Sequence, residues 1–178
     1  MEYHVTLPVS PDFFKTLRVN DIVYVTGKLF TARDRAHEKM LTTNRKELQF
    51  DPTGMALYHC GPLMKQKQGK WTVVSAGPTT SNRMEDVEDI LLDRFRLPMI
   101  IGKGGMGRRT AKALKKTGSV YVAFPGGAGV LAAEKITGVS GVFWLEELGM
   151  PEAVWIFDVQ EFGPLIVTMD STGKSLYQ

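Results

Sequence analysis

Apolar and polar positions alternate with two different periods along this chain, and the changes of period mark its elements. "EYHVTLP" (2–8) and "DIVYVTGKLF" (21–30) alternate with a period of two and are predicted strands, the second opening at Asp21 and relaxing near Gly27. "TARDRAHEKMLTTNRKEL" (31–48) changes to a helical spacing, with Ala36, Met40 and Leu41 on one stripe, Thr31 as the expected cap and Asp34 in the capping-box position. "MALYHCGP" and "WTVVSAGP" are short apolar runs, both stopped by Gly-Pro and separated by the polar turn "MKQKQGK", a repeat that predicts neighbouring strands ending at one edge.

Beyond the second Gly-Pro, Met84, Val87, Ile90, Leu91 and Phe95 recur at helical spacing, with Asn82 and Glu85 placed as a cap pair. "LPMIIG" reads as a strand, "MGRRTAKALKKTG" as a helix closed by Gly118, and "SVYVAF" as a strand. "GGAGVLAAEKI" reads as a tight turn into a short helix, and "SGVFWLEELG" and "AVWIFDVQEFGPLIVTMDSTGKSLYQ" as strands and turns. Strands alternate with helices in the middle of the chain between β-rich ends, so the expectation is a mixed α/β single domain over residues 1–178.

Composition narrows the function classes. At 178 residues, with 43% hydrophobic and 23% charged, the chain is long enough to bury a core and is not disordered in character. "MEYHVTLPVS" does not read as a signal peptide and no apolar run approaches a bilayer span, so a cytoplasmic protein without membrane association is expected. Cys60 alone cannot build a disulfide, a zinc site or an iron–sulfur site, and His4, His37 and His59 lack the i, i+4 spacing of a metal pair. No metal ligand is therefore expected in this chain. His59 and Cys60 are expected to face opposite sides of a strand.

The net charge of +3 is mild, but its distribution is uneven. From Arg94 to Ala133 there is no acid, while Arg94, Arg96, Lys103, Arg108, Arg109, Lys112, Lys115 and Lys116 supply eight cations. Lys112, Lys115 and Lys116 read as a solvated helix face. A nucleic-acid patch normally interleaves aromatics for stacking, which this segment largely lacks, so a small anion is the better ligand class.

Three strand-to-helix junctions carry the candidate chemistry: Thr31 with Arg33, then Thr79 and Thr80 with Arg83, then Lys103 within "GKGGMG". Arg83 stands at a helix start, where a cation is unfavourable unless an anion is near. Hydroxyls, backbone N–H groups and cations meeting at the strand ends of an α/β sheet form an anion site, and two arginines and a lysine suit a small dianion. Gly102, Gly104 and Gly107 fit the dinucleotide spacing G-x-G-x-x-G, but "SVYVAFPGG" lacks the acid that pattern requires. Gly102 and Gly104 are read instead as the supporting loop around Lys103.

"TARDRAH", "GPTTSNRM", "IGKGGM" and "GGAGVLAA", in that order, resemble the β subunit or C-terminal domain of the iron–sulfur class I fumarases and L-tartrate dehydratases. The resemblance implies a swivelling β/β/α domain with a mixed sheet and flanking helices, and a hydro-lyase that reversibly hydrates fumarate to L-malate. The tartrate relatives instead convert L-tartrate to oxaloacetate. It implies that Arg33, Arg83 and Lys103 bind substrate carboxylates and that Thr79 takes the C3 proton. It further implies a [4Fe–4S] cluster held by a partner α subunit, acting as a Lewis acid on the leaving hydroxyl. The expected assembly is a hetero-oligomer, with a homodimer for the chain in isolation. Gly129 and Val130 depart from the small alanines of the family loop. A non-catalytic anion-binding or assembly module using the same loops is the alternative reading.

Overall fold

The computed structural model describes residues 1–124 and 129–177. In chain order the elements are β1 (Glu2–Thr6), α1 (Pro11–Phe14), β2 (Ile22–Thr31), α2 (Asp34–Thr42), β3 (Ala56–Tyr58), β4 (Leu63–Lys67), β5 (Lys70–Ser75), α3 (Glu85–Phe95), β6 (Met99–Gly102), α4 (Arg108–Thr117), β7 (Val120–Ala123), α5 (Gly129–Glu134), β8 (Ile136–Phe143), α6 (Leu145–Leu148) and β9 (Val154–Met169). Seven strands form one mixed sheet in the order β1-β2-β3-β6-β7-β9-β8. Because β9 also pairs antiparallel with β2, the strands β2, β3, β6, β7 and β9 close on themselves. Within that ring, β2, β3, β6 and β7 run parallel, so their C-terminal ends share one edge.

Closure explains the apolar runs. Leu29, Tyr58, Ile101, Val122 and Phe157 belong to one buried cluster, while their neighbours Phe30, Leu57, Ile100, Tyr121 and Ile156 belong to a second. Each strand therefore alternates between two hydrophobic environments, and both faces select apolar residues. The second cluster is completed by Met40 of α2, Leu91, Leu92 and Phe95 of α3, and Leu114 of α4, which places these helices on one side of the sheet. The mixed α/β fold with flanking helices thus matches the expectation.

Several local expectations are corrected. Thr31 does not cap α2: it ends β2, fully buried, and its hydroxyl donates to the Ala153 carbonyl and accepts from Trp155 N–H. Arg33 occupies the N-cap instead, without a capping side-chain bond. "MKQKQGK" is not a plain turn. Most of it lies in a separate hairpin, β4–β5, so the second Gly-Pro run pairs within that hairpin and not beside β3 in the main sheet. The two Gly-Pro segments nonetheless meet, through an antiparallel bridge between Cys60 and Pro78. Gly126–Ala128 of "GGAGVLAA" lie outside the described residues, while Gly129 begins α5 as expected of a short helix there.

Glu85 was expected to pair with Asn82 at the head of its own helix. Residues Ser81–Met84 form a 3-10 turn, α3 starts at Glu85, and the Glu85 carboxylate reaches across to the next helix. It accepts from Gly107 N at 2.7 Å, Arg109 N at 3.0 Å and Thr110 Oγ1 at 2.6 Å. An anion is indeed bound at the N-terminus of α4, and it is a side chain of this chain.

Candidate functional site

The three junctions converge on the edge where β2, β3 and β6 end. Ala32 N–H donates to the Tyr58 carbonyl at 3.1 Å, tying the first junction to β3. Thr79 N–H donates to the His59 carbonyl at 2.8 Å, fixing the second junction to the residue after β3. Ser81 N–H donates to the Lys103 carbonyl at 3.2 Å, and Thr80 and Lys103 form a parallel bridge. The three junctions are therefore linked in a row through backbone hydrogen bonds by way of Tyr58 and His59.

Arg33 is one-quarter exposed, Thr79 half-buried, and Lys103 exposed. The Arg33 stem lies over Gly61, where a Cβ would come within 2.6 Å of both Arg33 Cδ and Nη1. The glycine of "HCGP" thus makes room for a cation as well as stopping a strand. Arg33 Nε is buried without a hydrogen bond, with the Glu152 carboxylate 3.4 Å away. Lys103 has no carboxylate partner among the described residues. An arginine and a lysine whose charge is incompletely matched, on segments linked through backbone to that of Thr79, make an edge suited to a small anion.

Arg83 is different. Its guanidinium already grips Asp34, with Nε donating to Oδ1 at 3.2 Å and Nη2 donating to Oδ2. The hydrogen bond from Arg83 holds the Asp34 carboxyl below its usual range despite partial burial. The anion next to this helix-start cation is thus, in the present conformation, a side chain. A substrate carboxylate at Arg83 has to share or replace Asp34, and the pair joins the first junction to the second. Thr80 stands at the N-cap position of the 3-10 turn, exposed and without a capping side-chain bond.

The supporting glycines have distinct causes. Gly104 has φ +73, a left-handed conformation that side chains disfavour. At Gly102 a Cβ would overlap Ser81 Oγ and lie 2.8 Å from the Tyr121 hydroxyl. Gly102 therefore accommodates a packed polar cluster behind the loop rather than an approaching ligand.

That cluster escaped the sequence reading. His37, His59, Ser81 and Glu88 are all fully buried under the junctions. Glu88 Oε2 accepts from His59 Nε2 at 2.8 Å and His37 Nε2 at 3.0 Å. His59 Nδ1 lies 2.8 Å from Ser81 Oγ, and His37 Nδ1 lies 2.7 Å from the Arg33 carbonyl. Burial alone would push Glu88 up, but the charges of and hydrogen bonds from His37 and His59 outweigh it and hold the carboxyl at about 2. A signal existed in the helical stripe. The buried face of α3 comprises Glu88, Leu91, Leu92 and Phe95, continuing from the buried Met84 just before the helix, whereas Ile90 is half exposed, so a glutamate stands at a core position.

Cys60 faces the inner cluster while His59 turns to α3, which matches the opposite-sides expectation. Burial pushes the Cys60 thiol far above its usual range. A fully buried, protonated thiol does not fit as an iron–sulfur ligand. Among the described residues, no helix is long and apolar enough to cross a membrane.

Residues 3–178 match the family described as "Fumarase C-terminus". The chain is 48% identical, over all of its length and 92% of the relative's, to a protein of Methanocaldococcus jannaschii named "Putative L(+)-tartrate dehydratase subunit beta". It is 40% identical to the Escherichia coli K12 "L(+)-tartrate dehydratase subunit beta", covering 99% of this chain and 87% of that one. A 40% identical match to the "Putative fumarate hydratase class I" of Geobacillus stearothermophilus covers 96% of this chain but 32% of that protein. Extent and identity together place the chain in the fumarase C-terminal family, among the β subunits of tartrate dehydratases and the corresponding part of class I fumarate hydratases.

Proposed function

We propose that this chain is the β subunit of a two-subunit hydro-lyase that acts on a C4 dicarboxylate, interconverting fumarate and L-malate. The observation that carries the reading is the convergence of Arg33, Thr79, Arg83 and Lys103, from three separate junctions, on one open edge. In this reading Arg33, Arg83 and Lys103 bind the two carboxylates. The Thr79 hydroxyl takes the proton from C3 as the hydroxyl on C2 departs. A threonine hydroxyl is a weak base unless neighbouring cations favour its ionised form, which these three supply. Proton loss next to a carboxylate builds negative charge on that group, and the same cations stabilise it more than they stabilise the ground state.

L-Tartrate is the second substrate reading. It is favoured by the names of the relatives that match over most of their own length. The openness of the edge supports a shared site, since a second chain closing over it would expel water and strengthen every charge there. The partner is an α subunit, and the [4Fe–4S] cluster belongs to that chain, because the single thiol here is fully buried. Coexpression with the α-type partner under anaerobic conditions, followed by assays with malate, fumarate and L-tartrate, tests the proposal. Turnover of a C4 hydroxy acid supports it; a stable complex with its cluster intact that turns over none of the three contradicts it.

A further inference from the structure

All three junctions rest on the same buried group of side chains. His37 Nδ1 holds the Arg33 carbonyl at 2.7 Å. His59 supplies the carbonyl that fixes Thr79 N–H at 2.8 Å. Ser81 Oγ accepts from Lys103 N–H at 3.2 Å and lies 3.0 Å from the Tyr121 hydroxyl, which in turn lies 3.0 Å from the Gly104 carbonyl. Glu88 joins the two imidazoles.

The proton positions follow from the partners. A carbonyl and a carboxylate are both acceptors, so His37 must donate from both ring nitrogens and is an imidazolium. His59 donates from Nε2 to Glu88, and its Nδ1 joins a hydrogen-bond chain that runs through Ser81 Oγ and the Tyr121 hydroxyl to the Gly104 carbonyl. His37 thus places a positive charge beside the Glu88 carboxylate. The directions of the shifts agree: burial lowers both imidazoles, but Glu88 lifts His37 above its ordinary value while His59 stays below its own. The other charges that bear on the rings are Asp34, which favours protonation of both, and His37 itself, which disfavours it on His59.

We propose that His37, His59, Ser81 and Glu88, with Tyr121, are positioning residues that hold the backbones of Arg33, Thr79 and Lys103 in a single catalytic register. The proposal rests on the site assigned under Proposed function. A buried charge pair is a poor device for stability alone, since apolar residues of the same volume often serve as well or better, and here Glu88 Oε1 is left with no hydrogen-bond partner. What the cluster does provide is direction. His37 Nδ1 and Ser81 Oγ fix the backbones of Arg33 and Lys103, and the backbone carbonyl of the anchored His59 fixes Thr79. Its residue types also suit a divalent cation, yet hydrogen bonds account for all four ring nitrogens, and both Nε2 atoms lie at hydrogen-bond distance from one oxygen.

Histidine nitrogen NMR on the full chain from about pH 6 to about pH 8 should show His37 protonated at both nitrogens and His59 protonated at Nε2. Glu88→Gln should return His37 to the neutral form and, in the enzyme assembled with its α partner, lower kcat/KM on the order of 10²-fold. Tyr121→Phe keeps the packing and removes one hydroxyl; it should lower kcat/KM about tenfold at unchanged Tm. A neutral His37, stoichiometric bound metal in the purified chain, or kcat/KM within about twofold of wild type for a folded Glu88→Gln or Tyr121→Phe would overturn the proposal. Full turnover in Thr79→Ala would instead overturn the site on which it rests. That result is distinct from an inactive Thr79→Ala beside an unaffected Glu88→Gln.

Discussion

Two basic regions of this molecule look alike in sequence and differ in structure: helix α4 and the edge formed by the three junctions. On α4, Arg109 meets Asp89 at 3.0 Å and Lys116 meets Asp93 at 2.8 Å, both acids coming from α3, while Lys112 and Lys115 stand in solvent. These are exposed pairs along two packed helices, each worth little. At the edge, cations from separate segments are gathered beside a hydroxyl, and the backbone under them is fixed by buried polar side chains. An acid-free stretch of sequence thus says little by itself, because its counter-charges come from another helix. Position relative to the strand ends separates a solvated face from a candidate anion site.

The comparison breaks most directly at Thr79. Thr79→Ala is expected to lower kcat by on the order of 10² or more in the assembled enzyme, with the fold retained, the range typical of a lost general base. Thr80→Ala should have little effect, since Thr80 is exposed and caps nothing. Equal, mild losses at both positions would show that the base is elsewhere.

Next come the cations. Arg33→Met, Arg83→Met and Lys103→Met should each cost about 1.5–3 kcal/mol in dicarboxylate binding or turnover, the worth of a charge-assisted contact. Lys112→Met should be nearly silent. Arg83→Met also frees Asp34, so a second substitution, Asp34→Asn, should recover part of the loss if an unpaired carboxylate repels the substrate. A Lys112→Met variant as damaged as Lys103→Met would make the diffuse helix face the functional feature.

A smaller effect distinguishes the support beneath the edge from the surface pairs of α4. Glu88 is held at about 2, below its ordinary 4.5. A lowered folded value means stability that is present above about 4.5 and lost as the pH falls through about 2. His37, raised, contributes below its ordinary 6.5 and loses that contribution as the pH rises through its folded value; His59, lowered, opposes folding once the pH drops below 6.5. The Glu88 part of the stability difference between wild type and Glu88→Gln in urea should therefore fade between about pH 4.5 and about pH 2, while loss of the raised His37 makes the difference grow as the pH falls toward 6.5. A difference that stays flat from about pH 8 to about pH 2 would contradict a charged Glu88 joined to His37.

Much of this was legible in the sequence, for identifiable reasons. The alternating run "DIVYVTGKLF" and the continuous apolar run "LPMIIG" became strands because closure of the ring gives both of their faces apolar neighbours. Arg33, Thr79, Arg83 and Lys103 stood out as candidates because hydroxyls and cations at strand-to-helix junctions are conspicuous. What the sequence concealed were long-range partnerships. Glu85 serves the next helix, Arg83 reaches Asp34 across 49 positions, and Glu88 joins His37 and His59 from two other elements. A helical register drawn through Met84 and Leu91 passes through Glu88, but apolar periodicity counts such a residue as a gap. The hairpin β4–β5 was hidden because its strand "LMKQK" is polar and mostly exposed, and so gives no alternation.

The central claim is that this chain supplies half of a site. The direct measurement is hydro-lyase activity of the purified, iron-free chain by itself, set against the same preparation recombined with its cluster-bearing α partner. The account predicts no turnover of malate, fumarate or L-tartrate by the isolated chain and recovery of turnover on recombination, with the recovered activity abolished by Thr79→Ala. Substantial malate formation from fumarate by the chain alone would contradict it.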